Sequence, residues 1–288
     1  MLATIIVALA GLFAGLIGAG WLAVVEWGAW TLVAPGRRWD RDEGAGDDPT
    51  WVVIAIEGVD GARLEADWKA AGAGRTAIVL HGFAEDRRAM RGRGEVLAGL
   101  GWDVLVPDGR GCGRSGGEFA AFGAREAADL AAWIGAVGPG RLAVWGRSMG
   151  AAVAVRAAAE GCRVDALVLE APFADLHAVV AAWLRQVRVP SVLAGGIIRR
   201  AGRIAGVDLA RAGPIEAAAR VGAPALILLG RDDPLIPPRE AARLAAAFRH
   251  PAEVINVAGA RHADVADVGG PALVARVAAF LDRAIPHP

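Results

Sequence analysis

A serine, a histidine and a carboxylate can together open an acyl bond, provided that the fold brings them to one place. In this 288-residue chain the serine stands in Gly146-Arg147-Ser148-Met149-Gly150. An apolar, strand-like run, Arg141 to Trp145, feeds it, and a helix-forming run, Ala151 to Glu160, follows. A turn sharp enough to lift a hydroxyl clear of a sheet leaves little room two residues to either side, and Gly146 and Gly150 meet that demand. Ser148 is therefore the candidate nucleophile.

A base must take the serine proton, and the chain has five histidines. His81 directly follows the apolar run Thr76–Leu80 and suits a turn-stabilising role. His177 lies in a long excursion, His250 precedes Pro251, and His287 is near the end. His262, in Gly259-Ala260-Arg261-His262-Ala263-Asp264, follows a late strand, so its loop can reach over Ser148. For the acid, Gly230-Arg231-Asp232-Asp233-Pro234 closes the run Ala225–Leu229 at the same edge. Asp232 and Asp233 cannot both face His262; one suits the acceptance of loop amides, and Glu170, at the end of the preceding strand, competes. Two backbone N–H groups must meet the oxyanion. Met149, just after the nucleophile, and Phe83, in the turn His81-Gly82-Phe83, are the candidates.

A second Gly-x-Ser-x-Gly, Gly113-Arg114-Ser115-Gly116-Gly117, overlaps a copy of the dinucleotide fingerprint, Gly111-x-Gly113-x-x-Gly116. Neither match has its required context. Pro107-Asp108 ends the strand before it, and Gly116-Gly117 oppose a helix where one should begin. Both read as one glycine-rich loop, so no cofactor is expected. No His/Cys/Asp cluster has ligand spacing, so no metal is expected either.

The elements that must position these residues are read from apolar runs and their punctuation. Strands are expected at Trp51–Glu57, Arg63–Trp68, Thr76–Leu80, Asp103–Val106, Leu142–Trp145, Ala166–Glu170, Ala225–Leu229 and Glu253–Val257. Helices are expected near Arg88–Leu100, Arg125–Val137, Met149–Glu160, Arg239–Phe248 and Pro271–Ala284. A hairpin followed by alternating strands and helices predicts a mostly parallel α/β sheet covered on both faces, with an antiparallel start. Residues 173–223 break that rhythm, an excursion of the length that usually forms a cap. It mixes apolar groups with Arg185, Arg188, Arg199, Arg200 and Arg203. One reading is a lid that lines an acyl pocket and touches anionic lipid; the other is a cap helix on the core with a solvated basic face.

The elbow, the His81-Gly82 turn, the run Asp108 to Gly117 and the order Ser…Asp…His resemble an α/β-hydrolase-fold serine hydrolase over about residues 50 to 285. Within that superfamily, Gly123-x-x-Glu126-x-x-Asp129-Leu130-x-x-Trp133-Ile134 and Ser148-Met149-Gly150 resemble the bacterial serine-aminopeptidase-like and esterase-like branch, which often carries an N-terminal anchor. The resemblance implies an eight-stranded sheet with a short cap, Asp233 as the acid and His262 as the base. Cys112 and Gly109 depart from commonly polar or aromatic positions. The implied reaction is cleavage of an ester, thioester or amide of a small-molecule or lipid-like acyl substrate. An acyltransferase on the same triad, or a non-catalytic membrane-anchored binding protein, are the alternatives. Serine rather than aspartate at the elbow argues against a dehalogenase or epoxide hydrolase.

Residues 1 to 25 carry no charged side chain, and hydrophobic residues make up 55% of the chain. As a helix those 25 residues would reach roughly 37 Å, beyond the roughly 30 Å hydrocarbon core of a bilayer. A single-pass anchor over 1–34 is expected, with Trp27 and Trp30 at the interface, a linker over 35–49 and the catalytic domain over 50–288. A cleaved signal peptide fits less well, because no Lys or Arg precedes the apolar run. Arg37, Arg38 and Arg41 follow it, which predicts a cytoplasmic domain. Gly11 and Gly15 have the spacing of a helix-pairing motif in a chain with 39 glycines, and the oligomeric state stays open. Acidic and basic residues balance at 31 each, Lys69 is the sole lysine, and no basic stripe suggests nucleic acid. Cys112 and Cys162 are too few for a disulfide framework and are expected free.

Overall fold

In the computed structural model, which describes residues 2–34, 48–72 and 74–286, every expected strand forms. They are β1 (Val52–Glu57), β2 (Arg63–Lys69), β3 (Arg75–Leu80), β4 (Asp103–Pro107), β5 (Arg141–Arg147), β6 (Ala166–Glu170), β7 (Ala225–Gly230) and β8 (Glu253–Val257). They make one sheet in the order β1-β2-β4-β3-β5-β6-β7-β8. The β1–β2 and β2–β4 pairs are antiparallel and all later pairs parallel. The chain thus reverses the strand order after β3, and β5 is left near the middle with its C-terminal end free for a site.

The strands are apolar on both faces because helices cover both. Ile78, Leu80, Leu142 and Val144 face one side, while Ala77, Val79, Ala143 and Trp145 face the other, as the two-residue period of a strand requires. On the first side lie α3 (Glu126–Val137), α4 (Met149–Ala159) and α8 (Pro238–Ala247); on the second lie α2 (Arg88–Gly99) and α9 (Val265–Ala284). The helix expected from Pro271 begins earlier, at Val265. Its first turn is set off by Gly270 at φ 54° and Pro271, a break that the missing proline N–H makes possible.

The excursion between β6 and β7 folds into α5 (Leu176–Gln186), α6 (Ala194–Ala205) and the short α7 (Ile215–Ala218). Asp175 starts α5 by accepting from the amides of His177 and Ala178. Helix α1 (Leu2–Val33) ends on this cap. Ala29 and Val33 are fully buried, Trp27 stacks on Trp183 at 5.5 Å, and Trp30 meets Phe119 edge-on at 6.0 Å. These two tryptophans, expected at a membrane interface, therefore pack on the hydrolase domain while remaining about half exposed. A helix apolar on every side does not reveal from sequence which face meets protein.

Among the described residues no helix is long and apolar enough to cross a membrane. Of the segment expected to do so, Met1 and the side chains of 2–14, 16 and 17 lie outside the described residues. Most of the expected linker, including Arg37, Arg38 and Arg41, lies outside them as well.

Candidate active site

Strand β5 delivers Ser148 at φ 50°, ψ −110°, a positive φ that a non-glycine residue holds only when its surroundings impose it. Both flanking glycines are required by space. A Cβ on Gly146 would strike the Gly150 carbonyl, and one on Gly150 would lie 2.6 Å from the Leu80 oxygen. The nearby backbone is pinned by Ser148 N–H donating to the Glu170 carbonyl at 2.8 Å. Close packing of β5, β3 and α4 thus fixes the hydroxyl at the sheet edge.

His262 Nε2 lies 3.0 Å from Ser148 Oγ, and His262 Nδ1 lies 2.8 Å from Asp233 Oδ2. The loops after β7 and β8 can meet because Gly230 has no side chain: a Cβ there would lie 2.7 Å from the Arg261 carbonyl. Asp233 has no exposed side-chain surface, whereas Asp232 points outward. The expected division of labour between these aspartates does not occur. Asp233 does both jobs, its Oδ1 accepting from the amides of Leu235 at 2.8 Å and Ile236 at 2.9 Å. That second set of bonds fixes the carboxylate plane relative to the imidazole.

Glu170 is elsewhere. Its carboxylate is fully buried beneath the site, held by Arg93 at 2.8 Å and Trp145 at 3.1 Å. Ser115 is also buried, donating to the Asp108 carbonyl at 2.8 Å and accepting from Glu65 N–H at 2.9 Å, so the second Gly-x-Ser-x-Gly is a loop brace. Glu126 and Asp129, the acids of the Gly123 motif, are braces too. Glu126 accepts from the amides of Ala121 and Gly123, and Asp129 holds Arg110 with two bonds of 2.7 Å. His81 accepts from Gly109 N–H at 2.8 Å with Nε2, and its Nδ1 lies 2.7 Å from the Gly82 carbonyl.

Met149 is the first residue of α4, where a helix leaves its N–H groups without intrahelical carbonyls. The Gly82-Phe83 turn runs beside the nucleophile, since a Cβ on Gly82 would lie 3.5 Å from Ser148 Cβ. Phe83 itself stacks on Phe122 at 5.2 Å. Among the described residues no group of three or more His, Cys, Asp or Glu could hold a metal ion. Cys112 and Cys162 are free thiols, and burial pushes the Cys112 thiol up to about 12.

Ser148 and His262 open into a cavity of about 200 Å³. Its wall is largely apolar: Phe83, Phe122 and Phe173 from the domain, Val179, Val180 and Trp183 from α5, and Ile197 from α6. Gly28, Thr31 and Leu32 of α1 complete it. These α1 residues are the functional positions that sequence reasoning missed. The one carboxylate in the wall, Glu85, is engaged by Arg147 at 2.5 Å and by Gly82 N–H at 2.7 Å.

The chain is similar to known proteins in sequence and in fold. The model of the family described as serine aminopeptidase, S33, matches residues 73–201. An uncharacterized protein of Mycobacterium tuberculosis is 32% identical over 239 residues, 79% of this chain and 78% of that one. The chain belongs to this α/β-hydrolase family. The chain also shares 38% identity over 89 residues with the lysophosphatidylserine lipase ABHD12 of Danio rerio, covering 29% of this chain and 23% of the lipase. Among solved structures, an esterase of Pyrococcus furiosus superposes with a TM-score of 0.72 at 25% identity, over 88% of this chain and 98% of the esterase. The chain is accordingly a hydrolase of the α/β-hydrolase fold.

Proposed function

We propose that the protein is a membrane-associated carboxylic-ester hydrolase for apolar acyl substrates, acting through an acyl-enzyme on Ser148. The observation that carries this reading is the Ser148–His262–Asp233 line of hydrogen bonds, 3.0 and 2.8 Å, at the mouth of an apolar cavity. His262 takes the hydroxyl proton as Ser148 Oγ attacks the substrate carbonyl, and Asp233 holds the imidazole in the tautomer that leaves Nε2 free to accept. The amides of Met149 and Phe83 meet the developing oxyanion. His262 then returns the proton to the leaving alcohol, and water repeats the sequence to release the acid and restore Ser148.

The acyl chain would lie along the α1–α5 wall. Glu85, the carboxylate in the wall, shares its Oε2 between Arg147 and the Gly82 amide, and the largely apolar remainder of the wall favours an ester with an apolar acyl group. The membrane part of the proposal is supported by the charge-free run of residues 1–25 and by exposed apolar groups where α1 leaves the domain, Leu22 being 72% and Trp21 41% exposed. Arg37, Arg38 and Arg41 after that run favour a cytoplasmic domain. A phosphatase fused after Pro288 should then stay inactive and a fluorescent protein should glow; an active phosphatase would reverse the topology.

A panel of p-nitrophenyl esters of rising chain length, with leucine p-nitroanilide for comparison, tests the reaction on the purified protein. Ester cleavage that is absent in Ser148→Ala is expected. Cleavage of the anilide alone would overturn the assignment.

A further inference from the structure

Three basic residues of the cap lie where the apolar helix leaves the protein. From Leu176 to Val207 the chain has five arginines and no acidic residue. Three of them, Arg199, Arg200 and Arg203, project from α6 beside Leu22, Ala23, Val25 and Glu26 of α1. Arg200 is paired with Glu26 through bonds of 2.6 and 2.8 Å, which fixes α6 against α1 at this level. Arg199 and Arg203 are exposed and make no ion pair among the described residues, while Asp208, which shares a surface groove with them, is paired with Arg211 at 3.8 Å. Immediately below them α1 has open space at its described glycines: nothing lies within 4 Å of a Cβ built on Gly15, Gly18 or Gly20.

The dimensions agree with one use of this arrangement. Leu2 to Trp21 as a helix measures about 30 Å, the thickness of a bilayer's hydrocarbon core. The arginines begin at the level of the next residue, Leu22, where phosphate groups would lie, and Trp21 has the exposed face that an interfacial belt uses. Gly28, in the cavity wall, is only about 9 Å further along α1.

We infer that Arg199, Arg203 and the Glu26-braced Arg200 form a collar that binds the headgroups of anionic phospholipids. The collar seats the cap on the membrane surface and holds the acyl cavity about two helical turns above the phosphates. This rests on the membrane reading of α1, to which it adds lipid selectivity. Such a contact is electrostatic, so it weakens with salt and depends on charge rather than on the guanidinium shape.

The test uses the full chain reconstituted in nanodiscs of phosphatidylcholine alone, or of phosphatidylcholine with one third phosphatidylglycerol. Amide hydrogen exchange is followed in peptides covering α6. Exchange is expected to slow at least threefold in the anionic discs, with the effect lost in 0.5 M NaCl and in Arg199→Gln/Arg203→Gln. The effect is expected to be kept in Arg199→Lys/Arg203→Lys. Matching melting curves of the variants establish that they are folded. Entry into both discs with equal α6 exchange would overturn the collar and leave the anchor standing. Failure to co-elute with either disc would overturn both. Slowing that survives in the glutamine variant would overturn the assignment to these arginines.

Discussion

Asp233 holds His262 with one carboxylate oxygen, at 2.8 Å, while its other oxygen is bound by the amides of Leu235 and Ile236. The acid is thereby oriented by its own loop. Asp233→Asn presents an amide group to one of these two partners, whichever way it turns. The expected result is a loss of kcat of about 10⁴-fold with a small change in KM, as for other triads given the wrong tautomer. Asp232→Asn, on an outward-facing side chain, should change kcat by less than about threefold. Steady-state kinetics on a short ester decides, and a larger effect from Asp232 would refute the assignment.

Glu170→Gln is expected to act on stability rather than chemistry. Arg93, largely buried, would keep only the longer 3.4 Å contact to Asp267 and lose its close counter-charge. Breaking a buried pair of this kind costs about 3–5 kcal/mol. Denaturant unfolding should show that loss, while the folded fraction retains kcat within a few-fold. A crippled but equally stable variant would move the catalytic acid to β6.

The eight strands and the elbow are legible in the sequence because each is local: an apolar run, a turn residue and a strand end. Glu170 and Asp233 cannot be separated that way. Both end strands at one edge, and what distinguishes them is Arg93, 77 positions away from Glu170. The two Gly-x-Ser-x-Gly matches separate locally, since only Ser148 is followed by a helix. The role of α1 in the cavity is hidden for another reason. With apolar residues on every face, nothing in its pattern marks Gly28, Thr31 and Leu32 as facing the cavity beside Ser148.

Leu32→Trp tests that role. Added bulk in a cavity of about 200 Å³ should shorten the acyl chain that fits. Cleavage of a decanoyl ester is expected to fall at least tenfold in kcat/KM while that of an acetyl ester stays within about threefold. An unchanged chain-length profile would remove α1 from the substrate site.

Cys112 provides a pH-dependent check on the packing of the Asp108–Gly117 loop. Its thiol is 2% exposed and, raised by burial from an ordinary 9.0 to about 12, remains protonated at neutral pH. Iodoacetamide at pH 8 should leave it unmodified in the folded protein and label it in urea. Above pH 9 the unfolded chain releases a proton that the folded one keeps, so this group's contribution to stability is lost as pH rises from about 9 towards about 12. Rapid labelling of the native protein would contradict the packing of that loop.

The most direct test of the central claim is covalent. A fluorophosphonate reports only a serine whose hydroxyl is activated by a base and open to the reagent, so intact-mass and peptide analysis after labelling identifies the nucleophile. One adduct is expected, on Ser148, absent in Ser148→Ala, strongly slowed in His262→Ala, and retained in a Ser115→Ala variant that remains folded. An adduct on any other serine, or undiminished labelling in folded Ser148→Ala, would contradict the account.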